Sequence, residues 1–237
     1  MEIDRRFYLI MMDEKITHTV EDYLKTIYDI TSDHDRASTN QTAESLGVAP
    51  ASVTGMLKKL AGSEPRIVDY QRHRGVVLTL EGEKIALEVI RHHRLIEMFL
   101  HQMLGYEWDE VHGEADRLEH VISEEFEERI AKALGDPSHD PHGDPIPSKD
   151  LQMPPSSFLP LCEMRPGQEG VVLRVRDENP EMLRYLSELG IIPNTDLKIV
   201  EYSPLDDNLS LLVSGSKKRI VLGPRITSEI YVKVNPA

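Results

Sequence analysis

The sequence predicts a mainly α-helical chain with smaller β parts: an N-terminal winged helix-turn-helix, a helical dimerisation domain and a C-terminal SH3-like β-barrel. Three observations carry that prediction. Three amphipathic helical patterns near the N-terminus run into a β-hairpin pattern. Two long amphipathic segments follow. After a stretch rich in Pro, Asp and Ser the pattern changes to short strands.

Residues 1–18 read as a loosely specified tail, with Met11 or Met12 as an alternative start. A first helix is expected from about Thr19, with Val20, Tyr23, Leu24 and Ile27 on one face. STNQTAESLGVAPASVTGMLKKLAG reads as helix, tight turn at Gly47, helix; Ala43 and Leu46 face inward, and Val53, Met56, Leu57 and Leu60 line the second helix. RIVDYQRHRGVVLTL reads as two strands joined at His73–Arg74–Gly75, which completes a winged domain over residues 19–86. GEKIALEVIRHHRLIEMFLHQML and WDEVHGEADRLEHVISEEFEERIAKALG then read as two long helices within a domain at 87–147. Their apolar stripes exceed what a small winged domain needs to cover, which points to a homodimer. GDPSHDPHGDPIPSKDLQMPPSS has no apolar period, and a linker is placed at 148–166. Over 167–237 the strands GVVLRV, DLKIVEY, SLLVSG, KRIVLG and EIYVKV, interrupted by the helical PEMLRYLSELG, read as the SH3-like barrel.

Composition narrows the function classes. A 237-residue chain with 40% hydrophobic and 29% charged residues describes a soluble globular protein. Its apolar runs are too short to span a bilayer, and no signal-peptide pattern appears. One cysteine, Cys162, excludes an intramolecular disulfide framework and makes the cytoplasm the expected compartment. A net charge of −14 argues against indiscriminate nucleic-acid binding, but the charge is uneven. Between Arg36 and Arg74 the bases Arg36, Lys58, Lys59, Arg66, Arg72 and Arg74 face Glu44, Glu64 and Asp69. Between Glu107 and Glu128 ten acids face Arg117 alone.

The basic region coincides with the winged domain. In a helix-turn-helix the start of the second helix meets base edges in the major groove. Those residues are Pro50, Ala51, Ser52, Thr54 and Gly55, which suit thymine-methyl contacts and shape readout. Lys58, Lys59, Arg72, His73 and Arg74 are placed for phosphates. Double-stranded operator DNA is the expected partner; the blander alternative is a winged domain used for protein contacts.

The acidic region poses a different question. On a helix, His112, Asp116, Glu119 and His120 fall within a sector of about 100°, beside the apolar stripe of Val111, Ala115, Leu118 and Ile122. Carboxylates beside a core repel one another and lose solvation unless something positive joins them. HHRLIE adds His93 and Glu97 one turn apart, the first helix adds Asp22, and the β-domain insert adds Glu178 and Glu181. Each has an ordinary reading: Asp22 as the capping-box partner of Thr19, His93 and Glu97 as an ion pair, Glu178 and Glu181 as solvated acids.

The succession TVEDYLKTIY, VAPASVTGMLKKL, HHRLIE, VHGEADRLEHVIS and GDPIP resembles the diphtheria toxin repressor family, over nearly the whole chain beyond the tail. The resemblance implies a metal-activated dimeric repressor controlling metal-ion homeostasis. It implies a primary site of Asp22, Asp116, Glu119 and His120, and an ancillary site of His93, Glu97, His112, Glu178 and Glu181. Iron-responsive members have Met and Cys where this chain has Asp22 and Asp116, whereas manganese-responsive members have carboxylates. Carboxylates favour the harder ion, so Mn²⁺ is expected ahead of Fe²⁺. Lys25 stands where two-domain manganese regulators have a further glutamate, so two separate sites are expected over a coupled pair. The rivals are a metal-independent winged-helix regulator answering to a small organic ligand, and a metallo-hydrolase. The second lacks HExxH and any nucleophile motif, so no enzyme is expected.

Overall fold

The computed structural model describes residues 16–155, 158–176, 179–216 and 218–235. These described residues divide into two compact units, one within 16–92 and 149–152, the other within 93–148 and 153–235. Most of the expected tail, and Glu178, lie outside the described residues.

In the first unit, α1 (His18–Asp33) starts at the N-cap Thr17, whose side chain accepts from Val20 N. Thr19 is therefore not the cap, and Asp22 is not its capping-box partner. Val20, Tyr23, Leu24 and Ile27 bury one face of α1, the stripe that the sequence predicts. A capping box formed by Ser38 and Gln41 opens α2 (Thr39–Ser45), and Pro50 opens α3 (Pro50–Ala61). Between them Gly47 takes φ +64°, a left-handed turn that suits glycine. Val53, Leu57 and Leu60 of α3 are buried against Ala43, Leu24 and Ile27. Strands β1 (Val68–Gln71) and β2 (Gly75–Leu78) pair antiparallel as the wing. Ala37 bridges Val76 as a short third edge. Helix α4 (Leu80–Leu104) begins in this unit and ends in the other.

In the second unit, α4 is followed by α5 (Val111–Leu118) and α6 (Glu124–Ala133). The sequence suggested a single helix here. Instead Glu119 caps α5, and Ser123 takes an extended conformation and accepts from Phe126 N to start α6. A serine followed by acids in a first turn is a strong helix start, and it interrupts an otherwise continuous apolar period. Two small cores hold these helices: Ile96, Leu100, Val111 and Ala115 in one, and Leu95, Ile130, Ala131 and Ile146 in the other.

A six-stranded sheet completes the unit, in the order β3-β8-β4-β5-β6-β7. Its strands are β3 (Leu159–Pro160), β4 (Glu169–Val175), β5 (Asp196–Tyr202), β6 (Leu209–Val213), β7 (Ile220–Leu222) and β8 (Ile230–Val234). Helix α7 (Pro180–Glu188) follows β4, and a single-turn α8 (Pro224–Thr227) precedes β8. The short β3 and a 3₁₀ turn at Leu161–Glu163 occupy part of the expected linker. Alternate residues Val172, Ile199, Leu211 and Val232 fill the sheet's core. Trp108, from the chain between α4 and α5, is buried in that same core.

Candidate metal centre and nucleic-acid interface

The metal candidates are best built outward from His93. It lies on α4, one turn before Glu97, and both side chains are buried, at 5% and 2% exposure. His93 Nε2 stands 2.9 Å from Glu97 Oε1 and 3.0 Å from His112 Nδ1. His93 Nδ1 contacts Glu119 and lies 3.4 Å from Asp116 Oδ1. Donor atoms of His93, Glu97 and His112 lie within 4.8 Å of one another, as do those of His93, Asp116 and Glu119. Two groups assigned by resemblance to separate sites therefore share one imidazole.

The second unit brings together six of the nine expected ligands. Glu119, though past the end of α5, keeps helical backbone angles, so it stays in phase with His112 and Asp116. His120 follows in a turn, with Nε2 3.3 Å from Glu119 Oε1. Asp116 is half exposed while Glu119 is buried, so the polar sector does border the core. Asp22 belongs to the first unit, partly buried on α1. Glu181 is exposed in the first turn of α7, where it joins none of the donor groups found among the described residues.

Two donors escaped the sequence reading. Asp140 and His142 sit in the loop after α6 and join Glu97 in a fully buried group whose donor atoms also lie within 4.8 Å of one another. His142 Nδ1 is 3.7 Å from Glu97 Oε2, and its Nε2 is 2.7 Å from the Trp108 carbonyl oxygen. Asp140 Oδ1 accepts from the backbone N–H groups of His142 (2.8 Å) and Asp144 (2.9 Å). The signal was a turn rich in Asp, His and Gly, which carries no helical or strand period.

Electrostatics show how demanding this cluster is. Burial alone would raise the Glu97 carboxyl. The charge of His93 and hydrogen bonds from His112, His142 and His93 outweigh it and hold the group well below the ordinary range. Asp140 is pushed up to about 7, first by burial and then by Asp144 and Glu97. Burial opposes the charged form of His142, but Glu97 and Asp140 raise it to about 9. Buried carboxylates here lean on imidazolium for compensation, a role that a divalent cation fills with more charge. Imidazole nitrogen and carboxylate oxygen suit Mn²⁺, Fe²⁺ and Zn²⁺ alike, so the donor set fits a first-row ion.

The first unit presents the other face. Pro50, Ala51, Ser52, Lys58 and Lys59 are exposed along α3, and Thr54 is partly buried. Thr54 donates its hydroxyl to the Pro50 carbonyl at 3.0 Å. At the wing tip Arg72, His73 and Arg74 are exposed, with His73 at φ +66° in the turn.

Three family models match the chain. Residues 15–76 match the model described as the N-terminal DNA-binding domain of iron dependent repressors. Residues 79–148 match their metal binding and dimerisation domain, and residues 159–234 match the FeoA domain. The chain is 32% identical over 212 residues to the iron-dependent repressor IdeR of Mycobacterium leprae, covering 84% of this chain and 90% of that protein. It is 33% identical over 195 residues to the diphtheria toxin repressor of Corynebacterium glutamicum, covering 78% and 85%. Among solved structures, a manganese-dependent transcriptional repressor in complex with manganese superposes with a TM-score of 0.83 at 38% identity, over 90% of this chain and 98% of that one. ScaR with bound Zn²⁺ gives 0.77 at 33% identity, over 90% and 98%.

Proposed function

The chain belongs to the iron-dependent repressor family of metal-dependent transcriptional regulators, and from that premise we propose that it is a Mn²⁺-activated homodimeric repressor of metal-homeostasis genes. The observation that carries the metal reading is the sharing of His93 among Glu97, His112, Asp116 and Glu119. In this reading Asp22, Asp116, Glu119 and His120 hold one ion. His93, Glu97 and His112, joined by Asp140 and His142, hold a second. Glu178 and Glu181 are the remaining candidates for it. The preference for Mn²⁺ over Fe²⁺ rests on the carboxylates at Asp22 and Asp116, which are harder donors than thioether or thiolate. A cytoplasmic location fits a chain with no helix, among its described residues, long and apolar enough to cross a membrane.

A bound cation would supply positive charge among carboxylates that otherwise repel. Asp22 is carried by the helix that enters the DNA-binding unit, and Asp116, Glu119 and His120 by the dimerisation domain. Ligands drawn from both thereby fix where each recognition helix stands in the dimer, and half-site spacing of about one helical turn demands such a fixed distance. Moving the population from 1:99 to 99:1 requires about 5.5 kcal/mol of preference for the DNA-competent state. In the operator, α3 reads base edges through Pro50, Ala51, Ser52 and Thr54. Lys58, Lys59, Arg72, His73 and Arg74 meet phosphates.

Fluorescence anisotropy with a labelled duplex, enriched from a random pool by the Mn²⁺-loaded protein, tests this reading. Binding is expected with Mn²⁺ and lost with chelator, and Asp116→Ala is expected to abolish the metal response while the circular dichroism spectrum is kept. Equal affinity with and without metal would remove the switch. The double variant Asp22→Met, Asp116→Cys is expected to shift the ranking of activating ions from Mn²⁺ towards Fe²⁺ or Zn²⁺. An unchanged ranking would show that these donors do not set selectivity.

A further inference from the structure

Glycine is the poorest helix former after proline, because it loses the most backbone freedom on folding. A glycine inside a helix therefore needs a reason, and two helices of the first unit differ in what they offer. Gly82, in α4, is required by the fold, since a Cβ there would stand 2.0 Å from the Ile67 carbonyl oxygen. Gly55, in the middle of α3, is not. It is exposed, and a Cβ there would meet nothing within 4 Å. Alanine would fit and would favour the helix, so no contact inside the protein accounts for glycine.

The place of Gly55 on α3 supplies the reason. Val53, Leu57 and Leu60 bury one face of the helix. At about 100° per residue, Gly55 lies about 180° from the middle of that stripe. It is the centre of the outward face, with Ala51 and Ser52 one turn before it and Lys58 and Lys59 one turn after, all four exposed. Thr54 turns its hydroxyl back to the Pro50 carbonyl at 3.0 Å. An α-helix with its side chains is about 10–12 Å across, close to the width of the major groove at about 12 Å. A centre without a side chain lets the backbone itself approach the groove floor. Within a helix the N–H and C=O of a residue are already paired, so the Cα hydrogens of Gly55 offer apolar contact alone. The apolar feature on the floor of the major groove is the C5-methyl group of thymine.

We propose that Gly55 is a specificity-determining residue whose bare Cα seats against a thymine methyl group at one base pair of each half-site. The inference rests on the DNA-binding reading above and makes the absence of a side chain at this position the selective element. Helix stability and base recognition then pull in opposite directions at one residue, which Gly55→Ala separates. Wild type and variant, both full-length and loaded with Mn²⁺, are titrated by anisotropy against three kinds of duplex. These are the enriched duplex, a shuffled duplex of equal composition, and enriched duplexes in which uracil replaces one thymine at a time.

Gly55→Ala is expected to bind the enriched duplex at least about 5-fold more weakly, the lower end of what one lost base contact costs. The shuffled duplex should bind both proteins alike, because non-specific binding rests on phosphates. Uracil at one position of the half-site should weaken the wild type and leave the variant unaffected, whereas elsewhere it should act on both equally. Without DNA, amide exchange along α3 should be severalfold slower in the variant, since alanine favours the helix. Unchanged exchange would mean that glycine costs α3 nothing, and the assignment would fall. It would also be overturned by undiminished binding of the variant to the enriched duplex, by an equal loss on the shuffled duplex, or by uracil effects that match at every position. Each of those results leaves the metal-dependent repressor intact. Failure of the wild type to bind either duplex with Mn²⁺ would sink both readings.

Discussion

Asp69 illustrates how single residues in the first unit set local stability. Its carboxylate accepts from Arg36, Arg66 and Gln71. The hydrogen bond from Arg36, followed by that from Gln71, holds it below the ordinary aspartate range. The folded group is thus the stronger acid. Its contribution is complete above the unfolded value of about 3.9 and fades as pH falls through the lower folded value. Asp69→Asn is therefore expected to lower the urea midpoint near neutral pH, with the gap to wild type constant above about pH 5 and closing below about pH 4. A gap of the same size in strong acid would mean that the site's worth is not ionic. At the same scale, the contact of His93 with Glu97 was legible from their spacing, but its reach to Glu119 was not. Spacing along one helix says nothing about what the next helix brings against it.

At the scale of elements, what periodicity conveys and what it hides can be seen in α5 and α6. The apolar period runs through the sequence of both helices, and Glu119 keeps helical angles beyond the last residue of α5. A period-based reading thus joins the two helices while still placing His112, Asp116 and Glu119 on one sector. The interruption was nonetheless written in the sequence. Ser123 followed by Glu124, Glu125 and Glu127 is a capped, acid-rich first turn. Ser123→Ala is expected to cost about 1 kcal/mol through the lost bond to Phe126 N, measured as a lower midpoint in urea. No change would show that water replaces the cap at no loss. The winged hairpin was fully legible, since alternation and the Arg-His-Arg-Gly turn both lie in local sequence. Asp140 and His142 were not, because an Asx-type turn positions them and no repeat announces it.

At the scale of the whole second unit, the helical and sheet parts form one compact unit. Trp108, at 6% exposure, is buried among the sheet's core residues although its neighbours in sequence belong to the helical part. Around it, Val175 N donates to His142 O at 2.9 Å, Arg174 pairs with Asp144 at 2.5 Å, and Arg184 pairs with Asp109 at 3.2 Å. Gly143 passes so close to β4 that a Cβ would stand 1.9 Å from the Leu173 carbonyl oxygen. Since His142 also reaches Glu97, the loop that meets the sheet is the loop that carries Asp140 and His142 to that carboxylate. Trp108→Ala is expected to cost about 3–5 kcal/mol, as large aromatic truncations in cores do. Trp108→Phe should cost less, because much of the apolar area is retained. Trp108 is the chain's single tryptophan, so its emission should be that of a buried indole in the native wild type and should shift red as the sheet domain unfolds. If native emission already matched that of the urea-unfolded chain, or if Trp108→Ala left the thermal midpoint unchanged, the sheet domain would have to be held by something other than this side chain.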